Sequence, residues 1–133
     1  FKFSHQIFYE GEVEPKSVLT YYKLFTCTVL CSVIEGLSQG LLESMYLGVP
    51  VVATAAAGNL DLIKHRSNGL LFPDKDIAAL ASCIRSLTED KELKQSLISG
   101  GITTATDTFS IDRTVRTYEE FYSRLLSSRK NSA

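Results

Sequence analysis

Pro50-Val51-Val52-Ala53-Thr54 offers no charged residue and no polar face. A strand of that kind must be covered on both sides, the condition of a strand inside a parallel sheet. Its flanks agree. Gln39 to Leu47 reads as a helix ended by Gly48, in the usual C-terminal glycine position. Ahead of it, Cys27 to Cys31 reads as another strand, with period two putting both cysteines on one buried face. Before that, Pro15 suits the first turn of a helix running to about Leu24, with Val18, Leu19, Tyr22 and Phe25 as its apolar stripe. Gln6 to Tyr9 reads as a short strand stopped at Gly11.

The alternation continues past Thr54. A turn at 55–59 leads to a short helix, Leu60 to Ile63, and Asn68-Gly69 signals a further turn. Leu70-Leu71-Phe72 is a brief edge strand closed by Pro73-Asp74. Beyond it the pattern is helical. Ile77, Leu80, Ala81, Ile84 and Leu87 share one face, and a second helix spans about Lys91 to Ile98, where Gly100-Gly101 would interrupt it. Ser110 caps a last helix, Ile111 to Leu126, with the stripe Val115, Tyr118, Tyr122 and Leu125. The fold class is therefore α/β: a Rossmann-like parallel sheet flanked by helices, with an all-helical C-terminal part. One domain at 1–126 and a frayed tail at 127–133 account for the 133 residues.

Several functions are disfavoured at once. A net charge of −1 gives no electrostatic case for binding nucleic acid. No apolar run approaches the roughly 18 residues of a transmembrane segment. Three cysteines, Cys27, Cys31 and Cys83, fit free thiols in a reducing, cytoplasmic setting better than a disulfide framework. The Cys27/Cys31 spacing is better explained by strand packing than by a metal. His65 reads as an exposed turn residue, and His5 sits by a start without Met, read as an internal cut.

Parallel sheets bind ligands beyond the carboxyl ends of their strands. That directs attention to loop 32–38 and turn 55–59. In Glu35-Gly36-Leu37-Ser38-Gln39-Gly40, the glycines leave backbone accessible, and the helix start offers free N–H groups to a phosphate. Glu35 precedes the helix and Glu43 lies one turn inside it, so both can point at one cleft. Carboxylates suit sugars because each accepts bonds from neighbouring hydroxyls. Taken locally, Glu43 can equally be a solvated helix residue, Glu35 plain loop polarity and Ser38 only an N-cap.

The whole block from Glu35 to Thr54, with seven residues between the glutamates, then Ser44-Met45 and Gly48-Val49-Pro50-Val51-Val52-Ala53, resembles the signature of the group 1 (GT-B, retaining) nucleotide-sugar glycosyltransferases. Phe8 to Val13, the Tyr21-Tyr22 pair, Gly58, Asp61, Asn68 to Leu71, Pro73 and Phe109-Ser110 follow the same order. The resemblance implies the C-terminal donor-binding domain of a hexosyl-type transferase. Glu35 would be the catalytic-site carboxylate on the donor-sugar hydroxyls, helped by backbone of Gly36, Leu37 and Ser38. Amides near Gly40 and Leu41 would face the distal phosphate, Glu43 the ribose and Val13 the base. It implies retention, no metal and no cofactor beyond the nucleotide-diphosphate sugar as donor substrate. The partners implied are that nucleotide-sugar donor, an unknown acceptor and a missing N-terminal domain, onto which the last helix would pack.

There are departures. Ser38 stands for a second glycine, Cys31 for a proline, and Ala57 for the first glycine of a Gly-Gly turn. The family's basic phosphate ligands would precede Phe1, so the 133-residue piece alone is expected to catalyse nothing. The alternatives are a non-catalytic nucleotide-sugar-binding or interaction module of the same fold and, ranked lower, a nucleotide-sugar epimerase.

Overall fold

The computed structural model describes residues 4–130. Three short strands, β1 (Thr28–Leu30), β2 (Val51–Thr54) and β3 (Leu70–Phe72), form a parallel sheet in the order β1-β2-β3. Thr28 pairs with Val51, and Val52 with Leu70. Helices α1 (Pro15–Tyr22), α2 (Gln39–Tyr46) and α3 (Ala57–Leu62) alternate with the strands, and α4 (Ile77–Glu89), α5 (Lys91–Thr103) and α6 (Ile111–Lys130) follow. Every residue of β2 is buried, as its composition demands. Val51 and Ala53 pack with Leu41, Met45, Leu62 and Ile63 beneath α2 and α3. Val52 turns to the other face, with Leu70, Phe72, Leu87 and Leu97 under α4 and α5. Each of these side chains larger than alanine contributes about 1.5–3 kcal/mol on leaving water.

Several expectations need correcting. No strand forms at Gln6–Tyr9. Residues 4–6 make one 3₁₀ turn, and Ile7, Phe8 and Tyr9 are exposed. A strand exists only with a partner, and among the described residues none pairs on the outer side of β1. That open edge also explains the cysteines. Cys27 is half-buried while Cys31 is exposed, and both fall outside the strand, so they share no buried face. The Gly100-Gly101 pair does not interrupt α5. The helix runs to Thr103 and relaxes into a π-helical turn, Thr104–Thr108. The pair sits where α5 meets the 67–68 turn, and a Cβ on Gly100 would overlap the Ser67 carbonyl.

Asn68-Gly69 does lie in a turn, but Arg66 takes the left-handed conformation, φ +63°, and Asn68 is buried. α3 begins at Ala57, earlier than its pattern suggests, with φ +41° at that residue. Ile77 is 80% exposed, so the α4 stripe narrows to Leu80, Cys83, Ile84 and Leu87. The last helix continues through Ser127 to Lys130, and residues 131–133 of the expected tail lie outside the described residues.

The thiols provide a check on this edge. Burial pushes the Cys27 and Cys83 thiols up, opposed in part by Lys94 and Arg66 respectively. A raised thiol favours the neutral form in the fold. Its contribution to stability is present below the ordinary thiol range and lost as pH rises through the shifted value. At pH 7.5 we expect iodoacetamide to alkylate Cys31 on the order of ten times faster than the other two, read by peptide mass spectrometry. Equal rates at Cys27 and Cys31 would contradict this arrangement of the β1 edge.

Candidate functional site

Loop 32–38 leaves the carboxyl end of β1 and turn 55–56 leaves that of β2, so the two lie side by side above the sheet. They are fastened together by α3. The Gly58 N–H donates to the Glu35 carbonyl at 3.1 Å. The Asn59 amide donates to the carbonyls of Ser32 at 3.4 Å and Thr54 at 3.1 Å. Asn59 is buried, and its side-chain oxygen has no hydrogen-bond partner among the described residues. The contact at Gly58 tolerates no side chain, because a Cβ there would overlap the Gly36 carbonyl and reach the Glu35 oxygen at 3.0 Å. Glu35 is half-buried on this platform, and Gly36 and Leu37 are exposed.

Ser38 is the N-cap of α2. Its hydroxyl accepts from the Leu41 N–H at 3.4 Å, a long bond and a weak cap. Leu41 itself is a core residue, 1% exposed, and its N–H is the one that Ser38 caps. Ser44 is buried and its hydroxyl donates to the Thr28 hydroxyl at 2.6 Å, tying α2 to β1. Glu43, next to it, is exposed.

Sequence reasoning missed Tyr22. It lies at the end of α1, buried, and its hydroxyl is shared between the Gly40 carbonyl at 3.1 Å and the Glu43 Oε2 at 3.3 Å. Burial first, and the Glu43 charge second, push its pKa up, so the phenol stays protonated and can donate at neutral pH. The sequence placed Tyr22 in the apolar stripe of α1 and in the family's Tyr pair, and nothing local revealed that its hydroxyl reaches α2.

Val13 is half-buried ahead of α1. It lines a largely apolar cavity of about 500 Å³ with Phe8, Glu10, Tyr21, Tyr22 and Phe25. Tyr22 therefore forms a wall between that cavity and Glu43. A second cavity, of about 520 Å³, is lined by Asp61, Lys64, Asn68 and the hydroxyls of α5. It sits near the amino end of β3, at the opposite end of the sheet from loop 32–38, and shares no residue with it. His65 is exposed and accepts from the Leu71 N–H through Nδ1. Among the described residues no three His, Cys, Asp or Glu gather where they could hold a metal. None of the described helices is long and apolar enough to cross a membrane.

Parallel strands, helices on both faces and a glycine-rich loop at the carboxyl ends define a Rossmann-like α/β domain. The chain belongs to the group 1 glycosyl transferases, whose family model matches residues 1–104. It is 28% identical over 127 residues to the D-inositol 3-phosphate glycosyltransferase of Acidothermus cellulolyticus, covering 96% of this chain and 28% of that protein. It is 34% identical over 88 residues to the glycosyltransferase 1 domain-containing protein 1 of Xenopus tropicalis, covering 66% of this chain and 25% of the relative. This chain thus spans about a quarter of the length of both curated relatives.

Among solved structures, Anabaena HepE in complex with UDP-glucose superposes with a TM-score of 0.71 at 25% identity, over 78% of this chain and 29% of that one. The sucrose-phosphate synthase of Thermosynechococcus elongatus reaches 0.83 over 96% of this chain and 32% of its own, and at 23% identity it speaks for the fold alone.

Proposed function

We propose that this chain is the donor-binding part of a glycosyltransferase that moves a hexosyl-type sugar from a nucleotide diphosphate to an acceptor, with retention of configuration. The observation that carries the reading is the pair of carboxylates flanking the α2 amino end, neither of them locked in the core: Glu35 before the helix and Glu43 one turn in. UDP-glucose in the HepE neighbour supports a nucleotide sugar as the donor.

In this reading Glu35 accepts from hydroxyls of the donor sugar, and the backbone of Gly36, Leu37 and Ser38 completes its cradle. The distal phosphate lies at the start of α2, against amides near Gly40 and Leu41. It would displace a cap that is already weak, and the positive end of the helix dipole favours it. Glu43 accepts from the ribose hydroxyls, and Val13 meets the base beside its cavity. The reaction needs no metal and no resident cofactor. The donor-binding unit extends to the end of α6 at Lys130. The acceptor and the remaining catalytic groups come from another part of the complete protein, with which the exposed stripe of α6 packs, and without which this piece turns nothing over. Three unpaired cysteines suit a cytoplasmic setting.

The test is calorimetry of the complete protein with UDP, GDP and ADP. Glu43→Ala should weaken the nucleotide that binds by about 1–3 kcal/mol, the usual cost of losing hydrogen bonds to a charged group. Undiminished affinity for all three would remove Glu43 from the site.

A further inference from the structure

A carboxylate on an exposed helix face samples several rotamers, and only some of them present both oxygens to a diol. Glu43 is held differently. Its Oε2 accepts from the Tyr22 hydroxyl at 3.3 Å, and Oε1 accepts from no described residue. The same hydroxyl reaches the Gly40 carbonyl at 3.1 Å, so it is tethered to the helix that carries Glu43. Tyr22 is itself immobilised. It is 8% exposed, and Phe25 packs edge-on against its ring at a centroid distance of 5.6 Å. The Ser44–Thr28 bond, one residue from Glu43, fixes α2 against β1 and keeps the two partners in register.

We propose that Tyr22 is the positioning residue for Glu43, holding one carboxylate oxygen so that the other faces a ribose diol, and thereby sets discrimination between ribo- and 2′-deoxyribonucleotides. The proposal rests on the reading that Glu43 holds the ribose. A residue serving the core alone would influence stability and all ligands alike. A positioning residue instead acts through Glu43, and only where both ribose hydroxyls are present.

Calorimetric titration of the complete protein separates these. The ligands are whichever of UDP, GDP or ADP binds, together with its 2′-deoxy counterpart. The proteins are the parent, Tyr22→Phe, Glu43→Ala and the double variant. Tyr22→Phe retains the ring and its packing against Phe25, and a thermal melt of each variant verifies the fold. We expect Tyr22→Phe to weaken the ribonucleotide roughly three- to tenfold while changing the deoxynucleotide less than about twofold. In the Glu43→Ala background the same substitution should change neither by more than about twofold. An unchanged ribo-to-deoxy ratio in Tyr22→Phe, or an equal effect in both backgrounds, overturns the positioning role while leaving the Glu43 assignment standing. A ratio unchanged in Glu43→Ala itself overturns the ribose reading and this proposal with it.

Discussion

Gly58→Ala is expected to lower the unfolding free energy by about 2–4 kcal/mol and to displace loop 32–38. The added methyl cannot coexist with the Gly36 carbonyl in its present place. Either α3 or the loop must move. α3 is anchored by the buried Leu62 and by the Asn59 amide bound to the Thr54 carbonyl at the end of the fully buried β2. The loop is held more weakly, by a long 3.4 Å bond from the Asn59 amide to the Ser32 carbonyl, while Val33, Ile34, Gly36 and Leu37 are exposed. The loop therefore yields, and the Gly58–Glu35 hydrogen bond is lost with it. The effect on binding should be lopsided. Glu43 sits on α2, which the core holds through Leu41 and Met45 independently of Gly58. Affinity for the nucleotide diphosphate alone should fall less than about threefold, while any extra affinity contributed by the attached sugar disappears. Urea unfolding and parallel titrations of nucleotide and nucleotide sugar check both halves. A parent-like unfolding midpoint would show that the loop and α3 do not touch.

The parts of this fold that were legible share one property: a few neighbouring residues decide them. β2 is apolar at nearly every position, and that alone requires cover on both faces. Ser38 and Ser110 each meet a backbone N–H three residues on, a range at which the sequence speaks directly. The location of the candidate loop followed from a rule about parallel sheets rather than from the loop itself. What stayed hidden depends on residues far apart in the chain. Gln6–Tyr9 has the residues of a strand and no strand to pair with. Gly58 looked like one member of a flexible turn, yet its lack of a side chain serves a contact with Gly36, 22 positions earlier. Ala57, beside it, takes a positive φ without being glycine. Tyr22 carried no sign of Glu43, 21 positions later. The apolar stripe of α6 was read correctly as a stripe, but Val115, Tyr118, Tyr122 and Leu125 remain exposed because no described element covers them.

Asn68 shows how a correct local reading can conceal a larger role, and it supports the second large prediction. The Asn-Gly pair indicated a turn, and a turn is present. The residue, however, is only 5% exposed, and both ends of its side-chain amide are engaged. Its oxygen accepts from the Lys64 N–H at 2.7 Å, and its NH₂ donates to the Leu62 carbonyl at 3.0 Å and to the Thr104 hydroxyl at 2.8 Å. One amide thus closes the turn before β3 and fastens it to the start of the π-helical segment, 36 positions on. Asn68→Ala leaves a backbone N–H and a backbone C=O without partners, at about 1–3 kcal/mol each, so we expect a total loss of about 3–5 kcal/mol. Asn68→Asp separates the two functions. It keeps an acceptor for Lys64 but sets a carboxylate oxygen against the Leu62 carbonyl in a buried place. Burial and that carbonyl push the introduced carboxyl up from its usual value of about 4. The protonated form can still donate to the Leu62 carbonyl, so the variant should be least impaired in acid and lose stability relative to the parent as pH rises through the shifted value. Denaturant titrations of parent and variant from about pH 4 to pH 8 measure that difference. A gap that stays constant across the range would mean the introduced carboxyl is solvated, and that Asn68 does not bridge the turn to the helix as described.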